Sequence, residues 1–353
     1  MITLIDHEDY YKHKMPNIRE SPQRLEIILN AIRKQKLVEK KQVQIRSPEL
    51  ASEEAILSLH SNSLLSIIKT SCEIGGAAIT SDTIANEHTF QAARRAVGGA
   101  ILAGEIAVQK QGSVAYALTR PPGHHATRNR AMGFCFFNNI ALAVHHLLME
   151  RKAKRIAIID YDNHYGNGTA ELFYNRNDVL YISLHADPSF CFPYSGRAEE
   201  IGEGKGKGYN VCIPLPVKTG DKQYLKAIDQ IVFPIVEEYE PDLLFISAGY
   251  DSLDEDPYGF LGLTIHGYQK IGERIIALAR AVCNGKVALT LEGGYKFREL
   301  GEAFIANISP FLPDYPTKST TEPHNLSSSL SPKQFDRAMA RVKKCLRTFW
   351  TID

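Results

Sequence analysis

The amino-acid sequence predicts an α/β fold in which helices cover both faces of a mostly parallel sheet. Two observations indicate this fold. Runs of aliphatic and β-branched residues alternate with helical patterns, and polar residues cluster directly after four of these runs. Strand–helix–strand repetition favours parallel strands joined by right-handed crossovers. At 353 residues and without an internal repeat, the chain is expected to form one large unit.

The predicted elements follow in chain order. Strand-like runs lie at 113–118, 155–162, 179–185, 208–215, 242–249 and 286–292. Apolar residues spaced three or four apart predict helices at Thr89–Gln111, Phe137–Arg151, Lys222–Glu240 and His266–Val282. The core therefore spans about residues 1–312. A segment rich in Pro, Ser and Thr, 313–332, predicts a loose excursion. A closing helix over 333–350 is expected to pack through Phe335, Leu346 and Phe349, with a binding appendage as the less favoured alternative.

Composition excludes several classes of protein. Acidic and basic residues nearly balance, with a formal charge of +1, so no global field favours nucleic acid or an anionic membrane. We find neither a signal-peptide pattern nor an apolar run that spans a bilayer. The six cysteines are scattered without a Cys-x-x-Cys motif, which is typical of reduced thiols in a cytoplasmic protein.

The most informative cluster ends the strand run at 155–162. Side chains alternate along an extended chain, so Asp160, Asp162 and His164 are expected to point the same way. Open α/β sheets bind ligands at the carboxyl ends of their strands. Two carboxylates and an imidazole without a nearby thiolate favour a catalytic divalent metal such as zinc. The alternative is a solvated strand end with an incidental histidine.

Two further strand runs also end in candidate chemistry. The stiff turn at 120–123 presents His124 and His125, and adjacent imidazoles suit general acid–base catalysis near neutral pH. Asp251 follows the fifth strand run and is a candidate for the third metal ligand. The alternatives are two surface histidines and an aspartate that caps a turn.

The sixth strand run, 286–292, is the fourth that ends in candidate chemistry, and it leads into Gly293, Gly294 and Tyr295. A Gly-Gly turn lets the backbone approach a site closely, and a tyrosine hydroxyl there is a neutral donor to an oxyanion. The alternative is a tyrosine packed on a turn. One metal with three protein ligands leaves room for water. Together the four clusters indicate metal-assisted hydrolysis of a carbonyl compound.

Five motifs occur along the chain: Arg-Pro-Pro-Gly-His-His (120–125), Gly-Phe-Cys-Phe-Phe-Asn-Asn (133–139), Asp-x-Asp-x-His-x-Gly-Asn-Gly-Thr (160–169), Gly-Tyr-Asp (249–251) and Leu-Glu-Gly-Gly-Tyr (291–295). In this order they resemble the histone deacetylase and acetylpolyamine amidohydrolase family of the arginase–deacetylase superfamily. The Gly-Asn-Gly and Glu-Gly-Gly-Tyr segments are similar to its class II and bacterial branch. The resemblance runs from Glu20 to Tyr295. It implies a three-layer arginase–deacetylase fold and a single deacetylase domain over 1–353.

The resemblance implies two kinds of bound ion. One catalytic zinc ion is expected on Asp162, His164 and Asp251, with ferrous iron left open. A structural potassium ion is expected nearby, held by the side chain of Asp160 and by backbone oxygens of Asp162, His164, Ser183 and Leu184.

The resemblance also implies the roles of the groups that move protons. His124 and His125 form the histidine pair, with His125 as the general base and acid. Asp160 supports His124, and Asn167 contacts His125. Tyr295 donates to the substrate carbonyl oxygen and then to the oxyanion.

The resemblance further implies a narrow tunnel for an acyl-lysine-like chain. Phe134 and Phe192 form its walls and Gly133 lines it. Tyr258 stands where related enzymes carry a residue that selects substrate, and polyamine-specific relatives have Glu there, so Tyr258 argues against that mode of polyamine recognition. The acidic run Asp254–Asp256 nevertheless favours a cationic substrate if it lies at the tunnel mouth. Its alternative is a solvated loop.

Two positions depart from the family pattern. Tyr165 replaces the second histidine that often follows the metal-binding one. Ile18 and Arg19 replace the His-Pro that often precedes Glu-Ser-Pro, which leaves the mouth-forming loop unpredicted.

The sequence therefore predicts a zinc-dependent amidohydrolase that removes acetyl groups from cationic amines, either acetyl-lysine in proteins and peptides or acetylpolyamines. Neither nucleic acid nor a membrane is an expected partner. One alternative is an acyl-lysine-binding module without turnover, against which the retained histidines, ligands and Tyr295 argue. The other is a two-manganese ureohydrolase, which needs extra carboxylates where Gly166, Asn167 and Tyr250 stand. Acyl length, the choice between protein and polyamine, and the oligomeric state are left open.

Overall fold

The computed structural model describes residues 1–16, 18–313 and 332–352. Its strands are β1 (Ile2–Ile5), β2 (Val43–Arg46), β3 (Gly76–Ala78), β4 (Ile84–Asn86), β5 (Val114–Ala117), β6 (Ile156–Asp160), β7 (Val179–Ala186), β8 (Asn210–Leu215), β9 (Leu243–Ala248) and β10 (Val287–Leu291).

Its α-helices are α1 (Asp9–Lys12), α2 (Gln23–Lys34), α3 (Glu53–Leu57), α4 (Asn62–Glu73), α5 (Thr89–Gln109), α6 (Asn139–Met149), α7 (Asn167–Phe173), α8 (Asp221–Ala227), α9 (Phe233–Tyr239), α10 (Ile265–Cys283), α11 (Phe297–Ile308) and α12 (Pro332–Leu346). A π-helical turn, Ile228–Val232, joins α8 to α9. Short 3₁₀ helices lie at Gly204–Gly206 and Ser309–Phe311.

The central sheet has eight strands in the order β2-β1-β5-β10-β9-β6-β7-β8. Every pairing between neighbours in this sheet is parallel. A separate antiparallel pair is formed by β3 and β4. The prediction of a mostly parallel sheet is therefore confirmed.

Helices pack on both faces of this sheet, because its strands alternate between two apolar cores. In β6, Ala157 and Ile159 belong to one core while Ile156 and Ile158 belong to the other. The first core also takes apolar residues from α2, α10, α11 and α12, and the second takes them from α4, α5 and α6. Burial of both sheet faces explains why these strands appear in the sequence as continuous apolar runs.

The predicted elements correspond to β5–β10, α5, α6 and α10, and the predicted helix Lys222–Glu240 is formed by α8, the π-helical turn and α9. Helix α10 begins where the Thr264 side chain accepts a hydrogen bond from the Gly267 amide at 3.1 Å, and it ends at Asn284 in a left-handed conformation. The sequence patterns did not predict β1, β2, α2, α4 or α11.

The closing helix is present as α12, and its packing differs in one residue from the prediction. Phe335 and Leu346 are buried, but Phe349 is 36% exposed. Trp350 is the buried aromatic residue instead, and its indole donates to the Gly208 carbonyl at 2.7 Å. Apart from Pro313 and Pro332, the predicted loose segment 313–332 lies outside the described residues.

Within residues 1–16, 18–313 and 332–352, no helix is both long enough and apolar enough to cross a bilayer.

Candidate active site

Four neighbouring strands of the sheet, β5, β10, β9 and β6, end at one edge of the molecule. The loops that follow them carry the predicted site residues, and these line one cavity of ≈ 380 Å³. They are His124, His125, Asp162, His164, Asp251 and Tyr295. The parallel register thus brings together side chains that are up to 171 positions apart in the chain, counted from His124 to Tyr295 (295 − 124).

Asp162, His164 and Asp251 form the cluster that fits a metal ion. His164 Nδ1 lies 3.1 Å from a carboxylate oxygen of each aspartate, and three potential ligand atoms lie within 4.8 Å of one another. The backbone holds the carboxylates in place. Asp162 Oδ2 accepts from the Gly293 amide and Asp251 Oδ1 from the Asn163 amide, each at 2.8 Å.

The donor set is chemically suited to a divalent cation. Two buried carboxylates and one imidazole nitrogen are the oxygen and nitrogen ligands typical of catalytic zinc. Burial lowers the pKa of His164, but its hydrogen bonds to the two aspartates more than offset this and raise it well above the ordinary value. The site therefore attracts positive charge to the point at which the three side chains meet.

The adjacent histidines have different partners. His124 Nδ1 lies 3.0 Å from Asp160 Oδ2, whereas His125 Nδ1 lies 2.8 Å from the amide oxygen of Asn167. Asn167 is the first residue of α7. The amide oxygen accepts a hydrogen bond from His125 Nδ1–H, which keeps the proton on Nδ1 and leaves Nε2 as the unprotonated nitrogen.

This difference in partners separates the pKa values of the two rings. Burial lowers the pKa of His124, but the charges of Asp162 and Asp160 outweigh it and raise that pKa to about 10. Burial lowers the pKa of His125 well below its ordinary value, and the nearby His124 adds to this effect. A divalent ion at the cluster would lower both values, so His125 stays the neutral member of the pair.

Tyr295 is fixed as a neutral hydroxyl donor. Burial raises its pKa well above the ordinary value. Its backbone amide donates to Asp256 Oδ2 at 2.7 Å, and the Arg24 guanidinium lies 4.9 Å from its ring centroid. The preceding Gly294 has φ = +124°, and a Cβ there would lie 2.6 Å from Tyr250 Cβ, so this turn requires glycine.

The predicted tunnel residues Gly133, Phe134, Phe192 and Tyr258 all line the cavity. The Phe192 ring packs edge-on against His125 with centroids 4.9 Å apart. The Phe134 ring lies 5.8 Å from both Tyr258 and Tyr295. These aromatic walls therefore approach both His125 and Tyr295, and the narrow tunnel for a linear chain stays a prediction.

Comparison with known proteins agrees with this geometry. A family model described as the histone deacetylase domain matches residues 18–309. A probable deacetylase of Archaeoglobus fulgidus is 37% identical over 345 residues, which cover 97% of this chain and 95% of the relative. A histone deacetylase-like amidohydrolase of Pseudomonas aeruginosa is 37% identical over 255 residues, which cover 72% of this chain and 66% of the relative.

The chain belongs to the histone deacetylase family. The crystal structure of the HDA15 HD domain superposes with a TM-score of 0.87 at 29% identity, covering 99% of this chain and 96% of that one. The predicted three-layer arginase–deacetylase fold is therefore confirmed.

Glu292 is a site residue of this histone deacetylase family member that the sequence patterns missed. It is fully buried, and its Oε2 accepts from the amides of Gly123 and His124 at 2.8 and 3.2 Å. Its Oε1 accepts from the Ser247 hydroxyl at 3.2 Å. Glu292 thus ties the loop that carries the histidine pair to β9 and β10.

A second missed group joins the amino-terminal region to the site. Glu20 is fully buried and binds the Arg120 guanidinium through both oxygens, at 2.5 and 2.8 Å. Arg24 donates to the backbone carbonyls of Glu292 and Gly294. These charged residues hold the turns before His124 and Tyr295. Of the three, only Arg120 lies inside one of the five motifs.

Asn163 lies between two metal-cluster residues and was also missed. Its Oδ1 accepts from the amides of Phe260 and Leu261 at 2.9 and 3.2 Å, and its Nδ2 lies 3.5 Å from Cys191 Sγ. Its own amide holds Asp251. One buried residue therefore connects the metal cluster, through its backbone amide, to two segments of the cavity wall, through its side chain.

The acidic run 254–256 is absent from the residues that line the cavity, although Pro257 and Tyr258 directly after it do line it, so its place at the tunnel mouth stays a prediction. Asp256 is buried and accepts hydrogen bonds from the amides of Tyr258, Tyr295 and Lys296. Asp254 pairs with Lys218 at 2.7 Å. Apart from Asp162 and Asp251 of the metal cluster, the acidic residue that lines the cavity, among the described residues, is Asp82.

The residues expected to hold potassium lie beside the metal cluster. Asp160 is the register partner of Ser183 across the β6–β7 ladder, and Leu184 follows Ser183 in β7. Asp160 is fully buried, and its Oδ2 accepts from Tyr181 as well as contacting His124.

Tyr165, which replaces the second histidine of the family pattern, is buried and its hydroxyl accepts a hydrogen bond from Asn210 Nδ2 at 3.2 Å.

Proposed function

We propose that the protein is a metal-dependent amidohydrolase that removes acetyl groups from N-acetylated cationic amines, namely acetyl-lysine in proteins or peptides, or acetylpolyamines. The observation that carries the proposal is the meeting of three groups in one cavity. A neutral His125, a neutral Tyr295 hydroxyl and a three-residue metal cluster all line it. The relatives named deacetylase and amidohydrolase support the same reaction class.

Zinc is the proposed metal, held by Asp162, His164 and Asp251. When bound there, it would supply a Lewis acid that polarises the acyl carbonyl and makes water a stronger nucleophile. The donor set supports zinc, since thiolates are absent from the cluster and both carboxylates keep an oxygen directed at His164.

The protein's own groups would carry the proton transfers. His125 Nε2 removes a proton from water as it attacks the carbonyl carbon and later gives a proton to the leaving amine. The Tyr295 hydroxyl donates to the oxygen on which negative charge develops. His124, whose Nδ1 is hydrogen-bonded to Asp160, lies beside His125 with ring centroids 4.0 Å apart, so it would orient the pair while the proton moves.

We also propose the potassium ion beside Asp160. Among the described contacts, Asp160 Oδ1 accepts one hydrogen bond, from the Asp162 amide at 3.1 Å, so it keeps a lone pair. The buried negative charge of this region favours a second cation beside Asp160, separate from the metal held by Asp162, His164 and Asp251. Thermal unfolding in potassium and in lithium chloride at equal ionic strength tests this, and equal midpoints would contradict it.

The test of function is turnover by purified, zinc-loaded protein. We expect release of acetate from an acetyl-lysine peptide, from acetylputrescine or from acetylspermidine, and loss of that activity in His125→Ala. A binding module would retain peptide affinity without releasing acetate. Hydrolysis of a guanidinium substrate with two manganese ions per chain would instead support a ureohydrolase, although the described residues offer one metal cluster of three ligands.

The six cysteines support the expected cytoplasmic location of this enzyme. All six are free thiols, and five of them are buried. This pattern is typical of a reducing compartment.

A further inference from the structure

Two aromatic side chains stand in solvent at the entrance of the cavity. Phe190 is 64% exposed and Tyr194 is 66% exposed, and both line the cavity that contains His125. We call this pair the aromatic lip. Most large apolar side chains of the chain are buried, so two exposed rings at the mouth of one cavity form a local apolar surface.

The loop that carries the aromatic lip is well hydrogen-bonded. The amides of Ser189 and Phe190 donate to Asp187, at 2.9 and 3.1 Å, and the Tyr194 amide donates to the Cys191 carbonyl at 3.0 Å. Hydrogen bonds thus hold the segments on both sides of the rings.

The backbone at Tyr194 also adopts an unfavourable conformation. Tyr194 has φ = +64°, a left-handed value that costs a residue with a side chain free energy. The next turn is fixed, because the Gly196 and Arg197 amides donate to Glu200 Oε1 at 2.9 and 2.8 Å. A strained, fixed backbone that presents a ring to solvent indicates a role outside the core.

The position of the lip limits what it can contact. A linear acyl-amine chain that reaches His125 fills the slot between Phe134 and Phe192, so the lip meets only groups that remain outside. A lysine side chain in a peptide leaves its backbone and flanking residues at the mouth, whereas an acetylated linear amine leaves little there.

The acidic groups nearest in sequence to the cavity walls already have partners within the protein. Asp254 pairs with Lys218, Asp256 is turned into the protein, and Glu255 lies 3.7 Å from Lys296. Asp82 lines the cavity, but its Oδ1 already accepts from the hydroxyls of Thr80 and Thr83.

We propose that the aromatic lip is a subsite for an apolar or aromatic residue next to the acyl-lysine of a peptide substrate. This inference rests on the proposed deacetylase function and assigns the substrate of that site to peptides or proteins. Each ring would stack on the flanking side chain and remove apolar surface from water.

The test compares four substrates with the same acyl group. Two are acetyl-lysine peptides flanked by Phe or by Gly, and two are small molecules with the lysine alkyl stem, acetylcadaverine and the neutral N-pentylacetamide. We expect kcat/KM to be about tenfold higher for the Phe-flanked peptide, the size of one aromatic contact. The double variant Phe190→Ser, Tyr194→Ser should lower it to the Gly level and change the other substrates less than about twofold.

Ile74→Ser is the matched control, because Ile74 is a 71% exposed apolar residue that does not line the cavity. It should leave all four values unchanged. Equal kcat/KM for the two peptides in the parent protein would overturn the subsite, as would an equal loss on N-pentylacetamide in the double variant. A selective loss on acetylcadaverine would show that the lip binds an ammonium group instead.

Two further outcomes are distinguishable. If the parent protein sediments as a dimer and the double variant as a monomer, the lip is an interface between copies and the subsite is wrong. If the zinc-loaded parent hydrolyses none of the four substrates, the proposed function itself fails, whereas turnover without a flanking-residue preference removes this inference alone.

Discussion

At the scale of the residue, Tyr295 is a candidate hydroxyl donor because its neighbours hold its ring in place within the cavity. Tyr295→Phe removes one oxygen and keeps the ring contacts with Arg24, Phe134 and Tyr258. We expect kcat to fall about a hundredfold or more, as on loss of an oxyanion donor, with the metal content unchanged. Steady-state kinetics on the best substrate and metal analysis of the purified variant measure both.

Tyr258→Phe is the matched control, since Tyr258 lies on the same wall with its ring 4.9 Å from that of Tyr295. Its hydroxyl has no assigned part in the proton transfers, so kcat should change little. A similar fall in both variants would mean that the loss reflects wall packing and not oxyanion stabilisation.

Asn163 contacts the metal cluster through its backbone amide and the cavity wall through its side chain. Asn163→Leu keeps the branched shape of the side chain but leaves the amides of Phe260 and Leu261 without an acceptor. We expect a loss of about 2–4 kcal/mol in the free energy of unfolding, the cost of two unsatisfied amides. Because Phe260 lines the cavity, KM should also rise. Urea denaturation and substrate titration measure the two effects.

Cys191→Ala separates the two halves of the Asn163 contact. It removes the 3.5 Å contact to Cys191 Sγ and keeps both amide hydrogen bonds. Its cost should be clearly smaller than that of Asn163→Leu. If the two variants lose equal stability, the hydrogen bonds from the Phe260 and Leu261 amides to Asn163 do not account for the loss.

At the scale of elements, the turn before α2 and the turn after β5 are joined by a buried ion pair. Burial raises the pKa of Glu20, but the Arg120 charge and hydrogen bonds outweigh this and lower it to about 2 from an ordinary 4.5. The lowered pKa stabilises the folded chain fully above pH 4.5, and this contribution disappears as the pH falls from 4.5 to 2.

Glu20→Gln should therefore cost about 3–5 kcal/mol at pH 7, because Arg120 stays buried without a carboxylate. The difference from the parent protein should shrink between pH 4.5 and pH 2. Urea denaturation at several pH values measures it. Glu199→Gln is the control, since its pair with Arg341 is exposed and should matter little. A difference that does not vary with pH would contradict the assignment.

The elements also show what the sequence can predict. The central strands β5–β10 are apolar on both faces, so periodicity and composition find them. In β2, by contrast, Val43 is buried and the three residues after it are exposed, which gives a short edge strand no clear pattern. Helix α12 was found through its spacing, but the choice of Trp350 over Phe349 as the buried ring depends on the Gly208 carbonyl, which is distant in sequence.

For the site residues too, local patterns could be predicted from the sequence and contacts between distant residues could not. His124, His125, Asp162, His164, Asp251 and Tyr295 were predicted because each directly follows a strand or a stiff turn. Arg24 and Glu292 hydrogen-bond to backbone groups as far as 270 positions away, and Glu20 pairs with the side chain of the distant Arg120. No local pattern reports such contacts. The partners of Asp254 and Asp256, Lys218 and the Tyr295 amide, could not be predicted from the run itself, because both are distant in sequence.

At the scale of the whole molecule, the parallel sheet gathers negative charge in its interior. Asp160, Asp162, Asp251 and Glu292 are each fully buried at the ends of neighbouring strands. Mutual repulsion and lost hydration disfavour this arrangement unless cations offset it. Metal binding is therefore expected to stabilise the entire fold and not the site alone.

Thermal unfolding with a chelator and with excess zinc measures this coupling. We expect zinc at about a hundred times its dissociation constant to add about 2.7 kcal/mol to the free energy of unfolding.

Asp251→Asn should lose that increment, because one ligand charge is gone. In chelator it should be at least as stable as the parent protein, since the amide oxygen can still accept from Asn163 and one repelling carboxylate has been removed. Asp254→Asn, on the surface, should keep the full increment. If Asp251→Asn were stabilised by zinc as much as the parent protein, the ion would be bound elsewhere, and the proposed reaction would lose the metal on which it depends.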